Sequence, residues 1–284
     1  MSIDPKEFEH WQSWVGKTER HEESLSIATL RRFAAATDAN LDVEQQLPAL
    51  AHWAFFLPLA GSRNIGPDGH PKRGGFVPPV SLPRRMFAAA NMQFEAPLLL
   101  ERPAALTATI TNLKHRSGKS GELVLMDVER EVTQDGKRCV LEQQTIVFRD
   151  DGAPQPAIVP SATDAQPNEV LWTPNRVDLF RFSAVTFNSH RIHYDKPYAV
   201  NEEGYPDLVV HGPFTAVKLF AYAQQQLGAP LTQFNFRATA PLFVEQTVRL
   251  CHGGPRPDVA EGCHEFKALR CDGSTAMSAI VRID

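Results

Sequence analysis

Three long runs of alternating residues constrain this chain most. Residues 105–113 (ALTATITNL), 121–133 (GELVLMDVEREVT) and 138–149 (RCVLEQQTIVFR) switch between apolar and polar and are rich in β-branched side chains. That is the pattern of strands with one buried face. The last two runs flank QDGK (134–137), and its Asp-Gly pair is a strong signal for a tight hairpin turn. The middle of the chain therefore reads as antiparallel sheet.

The flanking segments supply helices. Over 4–15, Asp4 can cap, Pro5 stands at the first helical position, and Phe8, Trp11, Trp14 and Val15 fall at helical spacing. A second helix is predicted over 26–37, with Ser26 as cap and Leu30, Phe33 and Ala34 on one face. HWAFFLPLA (52–60) reads as a short buried strand. Residues 61–83 hold five Gly and five Pro; a loop this long is a functional loop or lid, or else a surface excursion.

After a strand-like start and a polar cluster, the second half offers a helix over 213–226 (PFTAVKLFAYAQQQ). It has Pro213 in its first turn and Gly228 just past its end. Strands are predicted near 231–240, 243–252, 261–270 and 275–283. Helix followed by antiparallel strands, twice, argues for an α+β chain of two units side by side, although no sequence identity recurs at a fixed period. The boundaries read as an N-terminal unit over 1–150, a Pro-rich linker over 151–168 and a C-terminal unit over 169–284.

Composition excludes several function classes. The 284 residues carry a net charge of −4, which gives no reason to expect nucleic acid or a membrane surface as partner. No apolar run is long enough to span a bilayer, and MSIDPKEFEHWQSWVGK has no secretory apolar region. A cytoplasmic location is expected. Cys139, Cys251, Cys263 and Cys271 form no CxxC pair and read as reduced thiols. The Gly-rich 61–75 region has neither a Walker nor a dinucleotide pattern.

The chemistry concentrates in residues 181–199, RFSAVTFNSHRIHYDKPYA. Asn188, His190, Arg191, His193, Tyr194 and Asp195 crowd together there between apolar flanks. Buried polar groups cost free energy unless they are paired or used. A histidine near neutrality in pKa can take and give a proton. Asn188 can hold a water through its donor and acceptor. Zinc on His190, His193 and Asp195 is disfavoured, because a third His or Cys at known spacing is missing. Downstream, His211-Gly212-Pro213 opens the predicted helix. Pro213 has no N–H, so the Gly212 N–H is the leading candidate to receive developing negative charge. Arg84, Arg85 and Arg191 suit phosphates or a carboxylate, with surface ion pairs as the plain alternative, and Asp195, before Lys196-Pro197, can serve as a cap or as a partner of Arg191.

FSAVTFNSHRIHYDKPYA together with VVHGPFTAVKLFAYA resembles the MaoC / (R)-specific enoyl-CoA hydratase superfamily of hot-dog hydratases and dehydratases. The superfamily motif is an Asp, then Asn-Pro-aliphatic-His, then one residue and Asp-Pro. By the resemblance, His193 takes the catalytic histidine position, Asn188 stands where the catalytic Asp is expected, and Gly212 matches the glycine that starts the central helix. His190 and Arg191 replace the motif's Asn and Pro. With GHPKRGGFVPPVSLPRRMF (69–87) upstream, the chain looks like the double hot-dog branch of mesaconyl-C4-CoA and itaconyl-CoA hydratases and of the mitochondrial 3-hydroxyacyl-thioester dehydratase.

The fold so implied is α+β, with two antiparallel sheets each wrapping a helix and the N-terminal unit degenerate. The implied activity is a hydro-lyase that reversibly hydrates an α,β-unsaturated acyl-CoA thioester, a short dicarboxylic one by the branch. The alternatives are a fatty-acyl 3-hydroxyacyl-thioester dehydratase, an acyl-CoA binder without catalysis and, further off, a thioesterase. The implied catalytic set is His193, Asn188 and Gly212. Either His193 acts alone with Asn188 orienting water, or Asp195 or His190 supplies the second polar role. His190, Arg191, Asp195, His211, Arg84 and Arg85 are the candidate substrate-binding residues. No metal or other cofactor is expected, coenzyme A being part of the substrate. The only expected partner is that thioester, and the paired units leave room for a homodimer.

Overall fold

The computed structural model describes residues 3–118, 121–161, 166 and 168–283. The first half runs α1 (Pro5–Gln12), β1 (Thr18–Ser24), α2 (Ile27–Thr37), β2 (Arg84–Phe94), β3 (Pro103–Gly118), β4 (Gly121–Gln134) and β5 (Lys137–Arg149). The second runs β6 (Val170–Trp172), α3 (Arg176–Val185), α4 (Lys196–Asn201), α5 (Gly212–Leu227), β7 (Gln233–Ala238), β8 (Val248–Pro255), β9 (Cys263–Leu269) and β10 (Thr275–Arg282). Of the linker expected over 151–168, residues 162–165 and 167 lie outside the described residues.

All ten strands join one antiparallel sheet in the order β1-β3-β4-β5-β2-β7-β10-β9-β8-β6. Within the first half the order is 1-3-4-5-2, and within the second it is 6-8-9-10-7. The second order is the first with five added to each strand, so the halves repeat one topology. They meet where β2 pairs with β7, from Ala89 opposite Arg237 to Gln93 opposite Gln233.

The alternation in β4 becomes buried and half-buried residues in strict turn over most of its length. Its hairpin with β5 turns at Asp135 and Gly136, with φ of 52° and 73°, the two positive angles a tight hairpin demands. α5 ends at Gly228, which closes the helix in the left-handed conformation at φ 64°. This helix lies over the seam between the halves: Phe220 packs at 5.4 Å from Phe94 of β2 and 5.1 Å from Phe234 of β7, ring centre to ring centre. Full burial of each such ring stabilises by roughly 1.5–3 kcal/mol. The seam is thus anchored by apolar contact as well as by the ladder, and anything at the start of α5 sits beside both halves.

The 52–60 segment departs from the strand expected there. Ala51–Ala54 form a 3-10 turn, bracketed by Leu50 and Phe56 at φ of 52° and 56°. The run is apolar because it is buried, not because it is extended. It is held by Glu142 of β5, whose carboxylate accepts from Trp53 Nε1 at 3.1 Å and meets His52 Nε2 at 3.3 Å. β1, TERHEES, carries no apolar alternation and lies at the sheet edge with nearly every residue exposed. α3 was also not expected; it begins at a capping box of Asn175 and Asp178.

Candidate functional site

The polar cluster begins where α3 stops. Phe187 takes a left-handed φ of 49°, and Asn188 N–H donates back to Ser183 O at 2.9 Å. Asn188 Oδ1 then accepts from His190 N–H at 3.0 Å. A 3-10 turn over Arg191–His193 follows, and Asp195 caps α4 by accepting from Tyr198 N–H at 3.1 Å. These local bonds fix the chain from Asn188 to Asp195 between α3 and α4.

His193 is buried, and its Nδ1 donates to Val209 O at 2.7 Å. That bond assigns the proton to Nδ1 and leaves the Nε2 lone pair bare. The ring stacks on His211, centre to centre 3.6 Å at 21°. His211 is fully buried; its Nε2 meets Ser183 Oγ at 2.8 Å, while Nδ1 is buried without a hydrogen-bond partner. On the other side, His190 lies edge-on at 5.5 Å and bonds Glu203 Oε1 through Nε2 at 3.0 Å. A fourth imidazole, His70, lies 4.1 Å from His190. The row is therefore His70, His190, His193, His211.

Burial, then the neighbouring His211 and His190, holds His193 well below the usual histidine pKa of 6.5. Burial, then His190, lowers His211 to about 3. Burial and the charge of Arg85 lower His70 to about 3, against the opposing pull of Asp68. His70, His193 and His211 are therefore neutral at physiological pH, and a neutral imidazole with a bare Nε2 is a base. A stability consequence follows. In the unfolded chain these three histidines take up protons below 6.5, but in the folded chain they do not. The unfolded state therefore binds more protons as the pH falls, so folding stability is full above pH 6.5 and declines below it. Each histidine contributes about 1.4 kcal/mol per pH unit while its folded form stays neutral. Denaturant melts at pH 7.5, 6 and 5 should show a falling midpoint; equal midpoints would refute the neutrality of these three histidines.

Gly212 opens α5, and among the described residues its N–H is spent on no backbone acceptor. The position lies against Phe87 O of β2, which a Cβ there would meet at 3.6 Å, an ordinary contact distance. His211, which stacks on His193, is the residue just before it. The start of α5 therefore adjoins the imidazole stack.

The remaining candidates divide. Arg191 donates through Nε and Nη2 to Asp195 Oδ2 at 3.0 and 2.7 Å, through Nη1 to Pro67 O at 3.0 Å, and stacks on Tyr198. Arg191 and Asp195 hold each other and shape the segment. Arg84 bonds Asp151 at 3.0 Å and faces the Tyr205 ring. Arg85, one residue on, sits in the β2–β5 ladder, and its guanidinium has no hydrogen bond or ion pair among the described residues.

The sequence reading missed Asp68, His70, Glu203 and Ser183. Asp68 Oδ2 meets His70 Nδ1 at 3.1 Å, and Oδ1 accepts the His70 N–H at 3.0 Å. Burial raises the Asp68 pKa, but the bonds from His70 and the charge of Arg85 outweigh it and hold the carboxylate below its usual range. The dyad belongs to the Gly/Pro-rich 61–83 loop, which docks on the cluster: Arg191 N–H donates to Asp68 O at 2.9 Å, and Ser189 Oγ donates to Gly69 O. The available signal was an Asp two residues from a His inside a loop already singled out for its length. Among the described residues, no group of three or more His, Cys, Asp or Glu side chains is arranged to hold a metal ion, and no helix is long and apolar enough to cross a membrane.

Comparison with known proteins places the chain in a family and identifies the fold. Over 282 residues, 96% of this chain and 98% of the relative, the chain is 42% identical to the mesaconyl-C(4)-CoA hydratase of Chloroflexus aurantiacus. Among solved structures, HtdX of Mycobacterium tuberculosis superposes with a TM-score of 0.69 at 18% identity, covering 94% of this chain and 99% of that one. A second Mycobacterium tuberculosis protein, described as having a double hot-dog fold, matches with a TM-score of 0.56 at 13% identity over 94% of this chain and 95% of its own. The repeated five-strand order is thus a double hot-dog. The family model for hydroxyacyl-thioester dehydratase type 2 matches residues 50–244, from the 3-10 turn beside Glu142 to the strand segment beyond α5, and takes in the whole imidazole row. The chain belongs to the hydroxyacyl-thioester dehydratase type 2 family.

Proposed function

We propose that the chain is a hydro-lyase that reversibly adds water to a short dicarboxylic α,β-unsaturated acyl-CoA, with a mesaconyl-C4 thioester as the substrate. The observation that carries the reaction type is His193: neutral, buried, its Nδ1 proton committed to Val209 O and its Nε2 free beside the start of α5. The substrate class is supported by the mesaconyl-C(4)-CoA hydratase relative.

In the hydration direction, Nε2 of His193 takes a proton from water as its oxygen bonds to the β-carbon. The π pair of the Cα=Cβ bond moves to place negative charge on the thioester oxygen. The Gly212 N–H donates to that oxygen, a contact that strengthens as the charge develops and so favours the transition state. The imidazolium then returns a proton to the α-carbon, restoring the carbonyl and the neutral base. Water supplies both the hydroxyl and the proton, so the step balances without an oxidant or a reductant. Asn188 has its carbonyl oxygen committed to His190 N–H, so its side-chain NH2 is the group left to orient the water. His190 is held by Glu203 and takes a supporting place beside the base. The cytoplasm, where thiols stay reduced, suits the four free cysteines.

The family match favours one other reading, dehydration of a 3-hydroxyacyl thioester of a longer linear chain, which is the same chemistry in reverse. One experiment separates them. Enoyl-CoA thioesters are offered as a panel (mesaconyl-C4, itaconyl, crotonyl and a long linear chain), and loss of conjugated thioester absorbance is followed. Fastest loss with mesaconyl-C4-CoA supports the proposal; fastest loss with the long linear chain selects the second reading. No loss with any member removes both.

A further inference from the structure

We infer that Arg85 receives the free carboxylate of the substrate, at the His70 end of the imidazole row. This rests on the dicarboxylic reading above and assigns the residue that enforces it.

Four arginines lie around the site, and three are spent. Arg73 donates to the backbone oxygens of Val80, Leu82 and Pro83. Arg84 is paired with Asp151, and Arg191 with Asp195. Arg85 alone of the four has no acceptor among the described residues, although it is partly buried. Burial lowers its pKa, but only to about 10, so it is charged at neutral pH. A desolvated guanidinium with five unmatched donors is costly unless an anion completes it. Asp68 is near enough to attract it, but both Asp68 oxygens are engaged by His70. The local charge is balanced while the fork stays open.

The position fits an acyl carboxylate. Arg85 and Phe87 are two apart on β2 with no bulge between them, so their side chains share a face. The Phe87 carbonyl lies against Gly212. Two strand residues span roughly 7 Å. Four carbons in a chain span roughly 4 Å, and a charge-assisted hydrogen bond at the far end adds about 3 Å. A thioester oxygen at the Gly212 N–H therefore puts the far carboxylate of a four-carbon diacid within reach of Arg85. A phosphate of coenzyme A also matches a guanidinium fork, but it is carried at the opposite end of the long pantetheine arm from the reacting carbons. The carboxylate is the occupant the position favours.

Succinyl-CoA, freshly prepared, and butyryl-CoA are suitable probes: both saturated and so closed to hydration, equal in acyl carbon count, and different in the terminal carboxylate. Calorimetric titration of wild type, Arg85→Gln and Arg85→Lys is the test. The wild type should prefer succinyl-CoA. Arg85→Gln should weaken succinyl-CoA by about 10- to 100-fold, the range for a hydrogen bond to a charged group, and leave butyryl-CoA within about threefold. Arg85→Lys should recover part of the loss, since it keeps the charge without the fork. An equal loss for both thioesters, as a phosphate contact or a folding defect would give, overturns the assignment. So does an unchanged succinyl-CoA affinity, or a wild type with no preference. Hydration of mesaconyl-C4-CoA by the wild type reports separately on the hydro-lyase reading, so that reading can fail while the binding preference stands, and the reverse.

Discussion

His193→Ala should lower the rate of enoyl thioester hydration by about 10²- to 10⁴-fold, the usual contribution of a positioned acid/base group. The size of the effect follows from how little else in the site can replace it. His190 has Nε2 engaged with Glu203, and His211 has Nε2 engaged with Ser183 and stands behind His193 in the stack. Neither presents a bare Nε2. The alanine variant also leaves the Val209 carbonyl without its donor, which costs about 1–3 kcal/mol of stability. His193→Gln is the sharper variant, since its amide can still donate to Val209 but cannot carry the proton. Both should lose activity alike while only the alanine variant melts appreciably earlier. Near-wild-type turnover of either variant would remove His193 from the mechanism. The lowered pKa adds a second readout. With the base neutral well below 6.5, kcat/KM should not fall through pH 6.5 as the pH is lowered, as it would for an ordinary histidine. A fall centred there would show that the imidazole is solvated and ordinary.

How much of this was legible in the sequence depends on where the information is stored. The strands of the first half were readable because a period of two repeats over many residues, and the 134–137 hairpin because Asp-Gly tolerates two positive φ angles. β1 was not readable. Its seven residues are almost all polar, and they pair because the edge of β3 is free, from Thr18 opposite Thr109 to Ser24 opposite Pro103. The 52–60 run shows the opposite failure: strong apolarity without a period says buried and nothing about shape. The five-strand repeat is a fact of hydrogen-bond topology and leaves no residue identity behind. In the site, His193 and Gly212 were visible because local motifs carry them. Asp68 and His70 act on residues some 120 positions away through a docked loop, and only a few short-range cues mark such a contact. Asp195 was readable both as a substrate contact and as a helix cap or partner of Arg191; it caps α4 and pairs with Arg191 at spacing i,i+4, because both bonds are local.

Gly69→Ala should cost activity nearly as severely as loss of the base, from a residue with no functional atom. Gly69 has φ of 89°, a conformation that other residues rarely adopt. A Cβ there would overlap Ser189 O outright, lie 2.8 Å from Ser189 C and 3.2 Å from Arg191 N. Those atoms are backbone of the catalytic segment and cannot swing aside as a side chain would. The loop must then lift, breaking the bonds of Arg191 N–H to Asp68 O, of Ser189 Oγ to Gly69 O and of Arg191 Nη1 to Pro67 O. His70 would leave His190, and Asp68 would leave Arg85. A displacement of about 1 Å in a catalytic arrangement can lower the rate about 10²-fold, so a loss of that order or more is expected. Gly74→Ala supplies the control. It shares the loop and the positive φ, at 96°, but a Cβ there meets nothing within 4 Å. It should carry only the backbone strain, about 1–3 kcal/mol, and keep turnover within a few fold. Limited proteolysis distinguishes a lifted loop from a globally unfolded chain, since only the former gives early cleavage confined to 61–83. Equal activities for the two variants would mean that the docked loop, with Asp68 and His70, is packing on the site rather than part of it.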